Sequence, residues 1–241
     1  MCGMESLLRW QHPNKGLLMP DHFVPLLEET GQIVEVGEWV LTESCRLNKS
    51  WQDEGMYPLP IAVNISYMQF NRVDFVTTVK RILSSTGLLP QYLELELTES
   101  YLIEDLESSR EHIRELKELG VRITLDDFGT GYSSFNYLCW MPVDSIKIDR
   151  SYVHGLDDSR EKRAIITAMM SLAHSLRLDA IAEGVETESQ LMFFNGLHCQ
   201  IIQGYLFSKA LSEEDFVKIY RAGGDFSHQL EHMRQVLSMS A

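Results

Sequence analysis

The strongest constraint in this chain is a rhythm. Short runs of apolar and β-branched residues alternate with longer stretches of helical periodicity along most of its 241 residues. The short runs fall at 4–10, 60–66, 92–97, 122–126, 145–149, 179–183 and 199–205. The helical stretches fall at 34–52, 70–85, 102–119, 160–176, 186–195 and 212–222. Strand–helix units in succession imply parallel strands joined by helical crossovers. Gly120 sits where the third helix should end, and Thr187 or Ser212 could open a later one.

The length suits one large α/β domain or two small ones. No GxGxxG fingerprint follows the first run. Instead, polar residues gather at the ends of nearly every run. That distribution suits a TIM-like (β/α)8 barrel, whose active site is built from strand ends and the loops after them. Seven runs are present where a closed barrel needs eight, and the chain begins almost inside the first. The expectation is an α/β barrel with its first strand truncated at the N-terminus, or an incomplete barrel. It would form a single domain over 1–241, with the barrel core at about 4–211 and C-terminal helices at 212–241. The tail "SHQLEHMRQVLSM" reads as a short closing helix, and the "GGDF" before it is too isolated to carry a function.

Charge and cysteine usage exclude several classes. The formal net charge is −14 and no basic stripe appears, so duplex nucleic acid is not an expected partner. A small anionic substrate remains compatible if metal ions reverse the charge locally. Cys2, Cys45, Cys139 and Cys199 form no CxxC pair, and the eight histidines show no HxH or HExxH spacing. Reduced thiols in a cytoplasmic domain are expected, without a His/Cys zinc site. No segment is apolar for long enough to span a bilayer. An anchor could still sit on a longer parent chain.

The acids at the run ends carry the chemistry. "MESLLRW" places Glu5, Leu7 and Arg9 on one face by the period of two. Asn64 interrupts the apolar "AVNIS", and "LELELTES" carries Glu94, Glu96 and Glu99. "TLDDFGTG" carries Asp126 and Asp127, "IKIDRSYV" carries Lys147 and Asp149, "AIAEGVETE" carries Glu183 and Glu186, and "IIQGYLFS" carries Gln203. Any one of these is an ordinary strand acid or hydrogen-bonding group. Together, at successive strand ends of one barrel, they would converge on one mouth. Carboxylates at close range push protons onto each other, and a divalent cation removes that penalty. Oxygen-only donors suit Mg²⁺ or Mn²⁺ better than zinc. Two adjacent aspartates suit two metals, an arrangement used in phosphoryl chemistry. Gly129 and Gly131 make the loop after them a candidate mobile segment.

Taken in order, "ESLLRW", "PDHFVPLLEETG", "VNIS", "LELTES", "DDFGTGYSS", "PVDSIKIDRSYV", "AEGVET" and "QGYLFS" resemble the EAL-domain family of cyclic di-GMP phosphodiesterases. The resemblance runs from about residue 4 to about residue 211. It implies hydrolysis of cyclic di-GMP to linear pGpG with two Mg²⁺ or Mn²⁺ ions, Ca²⁺ being inhibitory. Glu5, Asn64, Glu96 and Asp126 would bind the first metal. Asp126, Asp127 and Glu183 would bind the second. Lys147 would orient the attacking water, with Glu183 also a possible general base. Arg9, Gln203 and Glu186 would serve the substrate, and Glu99 would tether the "DFGTGYSS" loop. The resemblance also implies a homodimer through the helix near Ser134, and sensor or cyclase domains on a longer parent. Two positions depart from the usual pattern. Ser6 stands where alanine is usual and points away from Glu5 by strand parity. Ala210 stands where proline is usual. The alternative is a non-hydrolysing cyclic di-GMP receptor or protein-interaction module on the same barrel, although every expected catalytic position is filled.

Overall fold

The computed structural model describes residues 1–99, 106–130 and 137–221. The chain divides into two compact units. The first holds Cys2–Asp126 and 137–144, and the second holds Asp127–Thr130 and 145–221.

The first unit opens with β1 (Met4–Ser6). The chain then leaves the sheet. β2 (Trp10–His12) and β3 (Gly16–Leu18) form a separate antiparallel hairpin across the turn residues Pro13, Asn14 and Lys15. The expected strand over 4–10 therefore stops at Ser6: residues 7–9 belong to neither sheet, and Trp10 already belongs to the hairpin. Helices α1 (Val24–Glu29) and α2 (Ile33–Asp53) follow, then β4 (Ile61–Ile65). The helix expected over 70–85 is also two pieces, α3 (Tyr67–Phe70) and α4 (Phe75–Thr86). Ser66 starts the first through a capping box with Gln69. Arg72 and Asp74 pair with each other in the break. β5 (Leu93–Thr98), α5 (Leu106–Leu119) and β6 (Arg122–Phe128) complete the alternation. Gly120 closes α5 at φ 96°, as its position predicts.

β1, β4, β5 and β6 are parallel in that spatial order. One face carries Val63, Ile65, Leu95, Leu97, Ile123 and Leu125, all buried. α2 packs on β4 and α4 packs on α2, and Leu41 and Cys45 of α2 and Val79 and Ile82 of α4 are buried. Each such side chain contributes about 1.5–3 kcal/mol on leaving water. Asn48 is buried among them. Its amide donates to the carbonyls of Leu59 and Tyr92 at 3.1 and 3.3 Å, tying the entries of β4 and β5 together. The opposite face of these strands is left to polar residues.

In the second unit, β7 (Ser145–Ile148), β8 (Asp179–Ala182) and β9 (Ile201–Ile202) are parallel in that order. β9 is much shorter than the 199–205 read from its apolar run. α6 (Arg150–Val153) and α7 (Arg160–Leu176) link β7 to β8, and α8 (Glu188–Gly196) links β8 to β9. Thr187 caps α8 with Gln190 in a second capping box. α9 (Glu213–Arg221) opens at Ser212, whose hydroxyl accepts from the Asp215 amide. Among the described residues no helix is long and apolar enough to cross a membrane. The expected closing helix over 227–239 lies outside the described residues, as do 100–105 and 131–136, so the "SFN" part of the expected dimer helix is outside them too.

Candidate active site

The polar face of the first unit is set by register. In parallel strands, residues paired across neighbours share a face, and so do residues two apart along one strand. Glu5 pairs with Ala62, Asn64 with Glu96, and Thr98 with Asp126. Glu5, Asn64, Glu96 and Asp126 therefore lie on one face of four adjacent strands. They step toward the carboxyl ends from β1 to β6, as strand tilt in a barrel-type sheet requires. The Asn64 amide donates to Glu5 Oε1 at 2.8 Å. Asn64 is open to solvent, whereas Glu96 is only 3% exposed.

Register separates Glu94 from this row. It sits one step deeper, accepts from the Thr124 hydroxyl, and lies 3.7 Å from the Arg122 guanidinium. These partners make it a structural acid. Glu99 follows β5 directly and is buried. The loop it was expected to tether lies largely outside the described residues. Ser6 turns to the helical face, where its hydroxyl meets that of Ser44 on α2 at 2.7 Å. Its expected orientation away from Glu5 holds. The parity argument for Arg9 does not, because β1 ends at Ser6. Arg9 is half-buried beyond the strand and donates to the Leu8 carbonyl.

The second unit builds its own row. Ile148 pairs with Ala182, and Ala182 with Ile202, so Asp149, Glu183 and Gln203 stand level just past the three strand ends. The backbone continues the ladder there: Glu183 N donates to Ile148 O, and Gln203 N to Ala182 O. Lys147, two residues before Asp149, shares their face. Its Nζ lies 2.8 Å from Glu183 Oε1, with the lysine side chain 1% and the glutamate 19% exposed. A buried ammonium needs a counter-charge, and Glu183 supplies it. Asp149 is engaged locally, capping α6 by accepting from the Ser151 amide. Glu186 is exposed, but its amide is held by Gln190 Oε1 at 2.8 Å.

Asp127 begins the second unit in a left-handed conformation, φ 53°. Aspartate tolerates this region better than most residues. It frees Asp127 from the alternation that sends neighbouring strand residues to opposite faces. The Asp127 carbonyl accepts from the Thr130 amide at 3.2 Å and its hydroxyl at 2.8 Å, closing a turn over Gly129 at φ 93°. Tyr152 and Gln190, which hold this turn and the Glu186 loop, were not picked out from sequence. The "ETESQ" capping pattern would have found the second.

The oxygen-donor chemistry of the first row fits a hard divalent cation: three carboxylates and one amide on adjacent strands. Among the described residues, no three His, Cys, Asp or Glu side chains close around one point. Asn64 adds a further donor to the row, although its amide nitrogen, not its oxygen, faces Glu5. Turning that amide over would present its oxygen instead.

Comparison with known proteins accounts for this pattern. The EAL domain family model matches residues 1–210. The chain is 43% identical over 217 residues to the bifunctional diguanylate cyclase/cyclic di-GMP phosphodiesterase MucR of Pseudomonas aeruginosa, covering 90% of this chain and 32% of MucR. It is 41% identical over 221 residues to the cyclic di-GMP phosphodiesterase NbdA of the same organism, covering 90% of this chain and 28% of NbdA. The chain thus spans about a third of the length of these relatives. A solved structure of the PaMucR phosphodiesterase in complex with c-di-GMP superposes with a TM-score of 0.87 at 43% identity, covering 90% of this chain and 87% of that one. The fold class is accordingly α/β of the TIM-like barrel type. Rows of oxygen donors at parallel strand ends, a left-handed aspartate near the end of β6 and this likeness lead to one assignment: the chain belongs to the EAL domain family.

Proposed function

We propose that this chain is a divalent-cation-dependent phosphodiesterase that hydrolyses cyclic di-GMP to linear pGpG. The observation that carries the reading is the row Glu5, Asn64, Glu96 and Asp126 on one sheet face of an EAL-family chain. Its relatives MucR and NbdA are named as cyclic di-GMP phosphodiesterases.

In this reading the row holds one Mg²⁺ or Mn²⁺, and Asp126, Asp127 and Glu183 hold a second. Bound cations of this kind supply Lewis acidity and neutralise charge on the reacting phosphate. Arg9 binds a substrate phosphate, and Gln203 and Glu186 support the substrate. Lys147 orients the attacking water. Its ion pair with Glu183 holds that ammonium in position. Water attacks in line at phosphorus, the P–O3′ bond breaks, and the water proton is lost as the 3′ oxygen gains one. Glu99 tethers the loop after Asp127, and a homodimer biases that loop toward its active shape.

The test is chromatography of nucleotide products at several protein concentrations with Mg²⁺, Mn²⁺ or Ca²⁺. The expected result is pGpG with Mg²⁺ or Mn²⁺, none with Ca²⁺ alone, and specific activity that rises with protein concentration. Tight cyclic di-GMP binding without product under every condition would replace this reading with that of a receptor.

A further inference from the structure

The two loops that carry Asp127 and Glu186 are held by the same four-residue helix, α6. On one side, the Tyr152 hydroxyl donates to the Gly129 carbonyl. The contact is close: a Cβ built on Gly129 would lie 3.3 Å from the Tyr152 ring and hydroxyl. On the other side, Gln190 Nε2 donates to the Val153 carbonyl at 3.2 Å, while its Oε1 accepts from the amides of Glu186 at 2.8 Å and Thr187 at 3.1 Å. Gln190 and Val153 are both buried. The helix itself is pinned at both ends. Asp149 caps its start, and Lys162 Nζ donates to the carbonyls of Ser151 and His154 at 2.6 and 2.5 Å. A four-residue helix has too few internal hydrogen bonds to hold its own shape. These outside bonds therefore fix it, and it fixes the loops in turn.

We propose that α6 is a bracket that sets the Asp127–Thr130 turn and the Glu183–Thr187 loop together, with Tyr152 and Gln190 as its positioning residues. Asp127 occupies a left-handed conformation that its surroundings must hold. The Tyr152 bond acts on that turn two residues further on. Gln190 fixes the backbone of Glu186, three residues after Glu183. Neither residue touches substrate in this scheme; each acts through the loop it holds. What the loops do rests on the phosphodiesterase reading. How they are held does not.

Tyr152→Phe tests the bracket, since it keeps the ring against Gly129 and removes only the hydroxyl. Two readouts are needed on the full chain: kcat and KM for cyclic di-GMP with Mn²⁺, and residue-resolved amide exchange without nucleotide. Loss of one hydrogen bond should speed exchange of the Thr130 amide by about 3–10-fold, with a smaller rise at Glu186 and Thr187. Exchange at Ile146 and Ile148 in β7 should stay unchanged. kcat should fall by a similar factor while KM stays within about 2-fold, the sign of misplaced catalytic groups rather than lost binding. Gln190→Leu should give the mirror pattern, largest at Glu186. If that variant does not fold, Tyr152→Phe decides alone. Unchanged Thr130 exchange, or a change confined to 129–130, would overturn the bracket. A wild-type protein that hydrolyses no cyclic di-GMP would remove the functional reading and leave the exchange test standing.

Discussion

Replacing Glu183 with leucine removes the carboxylate that lies 2.8 Å from the Lys147 ammonium, and the consequence is asymmetric. The Lys147 side chain is 1% exposed, so water cannot take the place of the Glu183 carboxylate when it is removed. The Glu183 side chain is 19% exposed and within reach of water. Breaking a buried pair from one side typically costs about 3–5 kcal/mol. Exposed pairs contribute only about 0–1 kcal/mol. Glu183→Leu should therefore cost about 3–5 kcal/mol. Lys147→Met, which leaves a partly hydrated carboxylate, should cost about 1–3 kcal/mol, between those limits. The double variant removes both charges of the pair and should be at least as stable as Glu183→Leu alone. In a domain of this size 1 kcal/mol shifts the melting midpoint by about 2–4 °C, so Glu183→Leu should melt roughly 6–20 °C lower. The assay is urea and thermal unfolding of all four proteins with a chelator present, which removes any contribution from bound cations. Equal losses in the two single variants that simply add in the double would refute the reasoning, because independent sites add and a coupled pair does not.

Asp126→Asn should lower turnover by orders of magnitude while the melting profile stays near wild type; near-normal activity would remove Asp126 from the cation sites. Gly204→Ala should destabilise more than Gly129→Ala in the same unfolding assay. A Cβ at 204 would lie 2.1 Å from the Val185 carbonyl oxygen, which is backbone, whereas at 129 the closest atom, also at 2.1 Å, is the Met169 methyl, which can swing away. Cys2 and Cys139 are exposed and should react rapidly with a thiol reagent, while Cys45 and Cys199 should react only on unfolding. Burial pushes the Cys45 thiol up to about 12 and Cys199 to about 11, against an ordinary value of 9.0. Both raised values favour the protonated native state. Their contribution is complete below about pH 9 and should be lost as pH rises toward 11–12, which unfolding measured across that range would show.

Much of the candidate site's layout was legible because it is written in strand alternation. A strand repeats every two residues, so an acid in an apolar run is either on the solvent face or on a shared polar face. The motif order chose the second for Glu5, Asn64, Glu96 and Asp126 in the first unit and, separately, for Lys147 and Glu183 in the second. Local signals also held: Gly120 closed its helix, and Thr187 and Ser212 opened theirs. These depend on backbone conformation within a few residues, which sequence specifies directly.

Other features belong to tertiary structure because they depend on partners far along the chain. Residues 4–10 read as one strand, but Trp10–His12 found a local hairpin partner, and the parity that linked Arg9 to Glu5 went with it. The "LELELTES" acids look alike in sequence. Register alone placed Glu94 beside Thr124 and Arg122, and Glu96 level with Asn64. Asn48 tying two strand entries, Lys147 charge-paired inside the second unit, and Tyr152 and Gln190 clamped to loops around them follow no period. A side chain's hydrogen-bond partner 20 to 40 residues away is fixed by how strands and helices stack, and stacking is decided by the whole set of buried faces at once. The sequence alone determined the α/β alternation and the row of candidate donors. Only the packed structure decided which acids are structural, which are paired, and which loops are held in place.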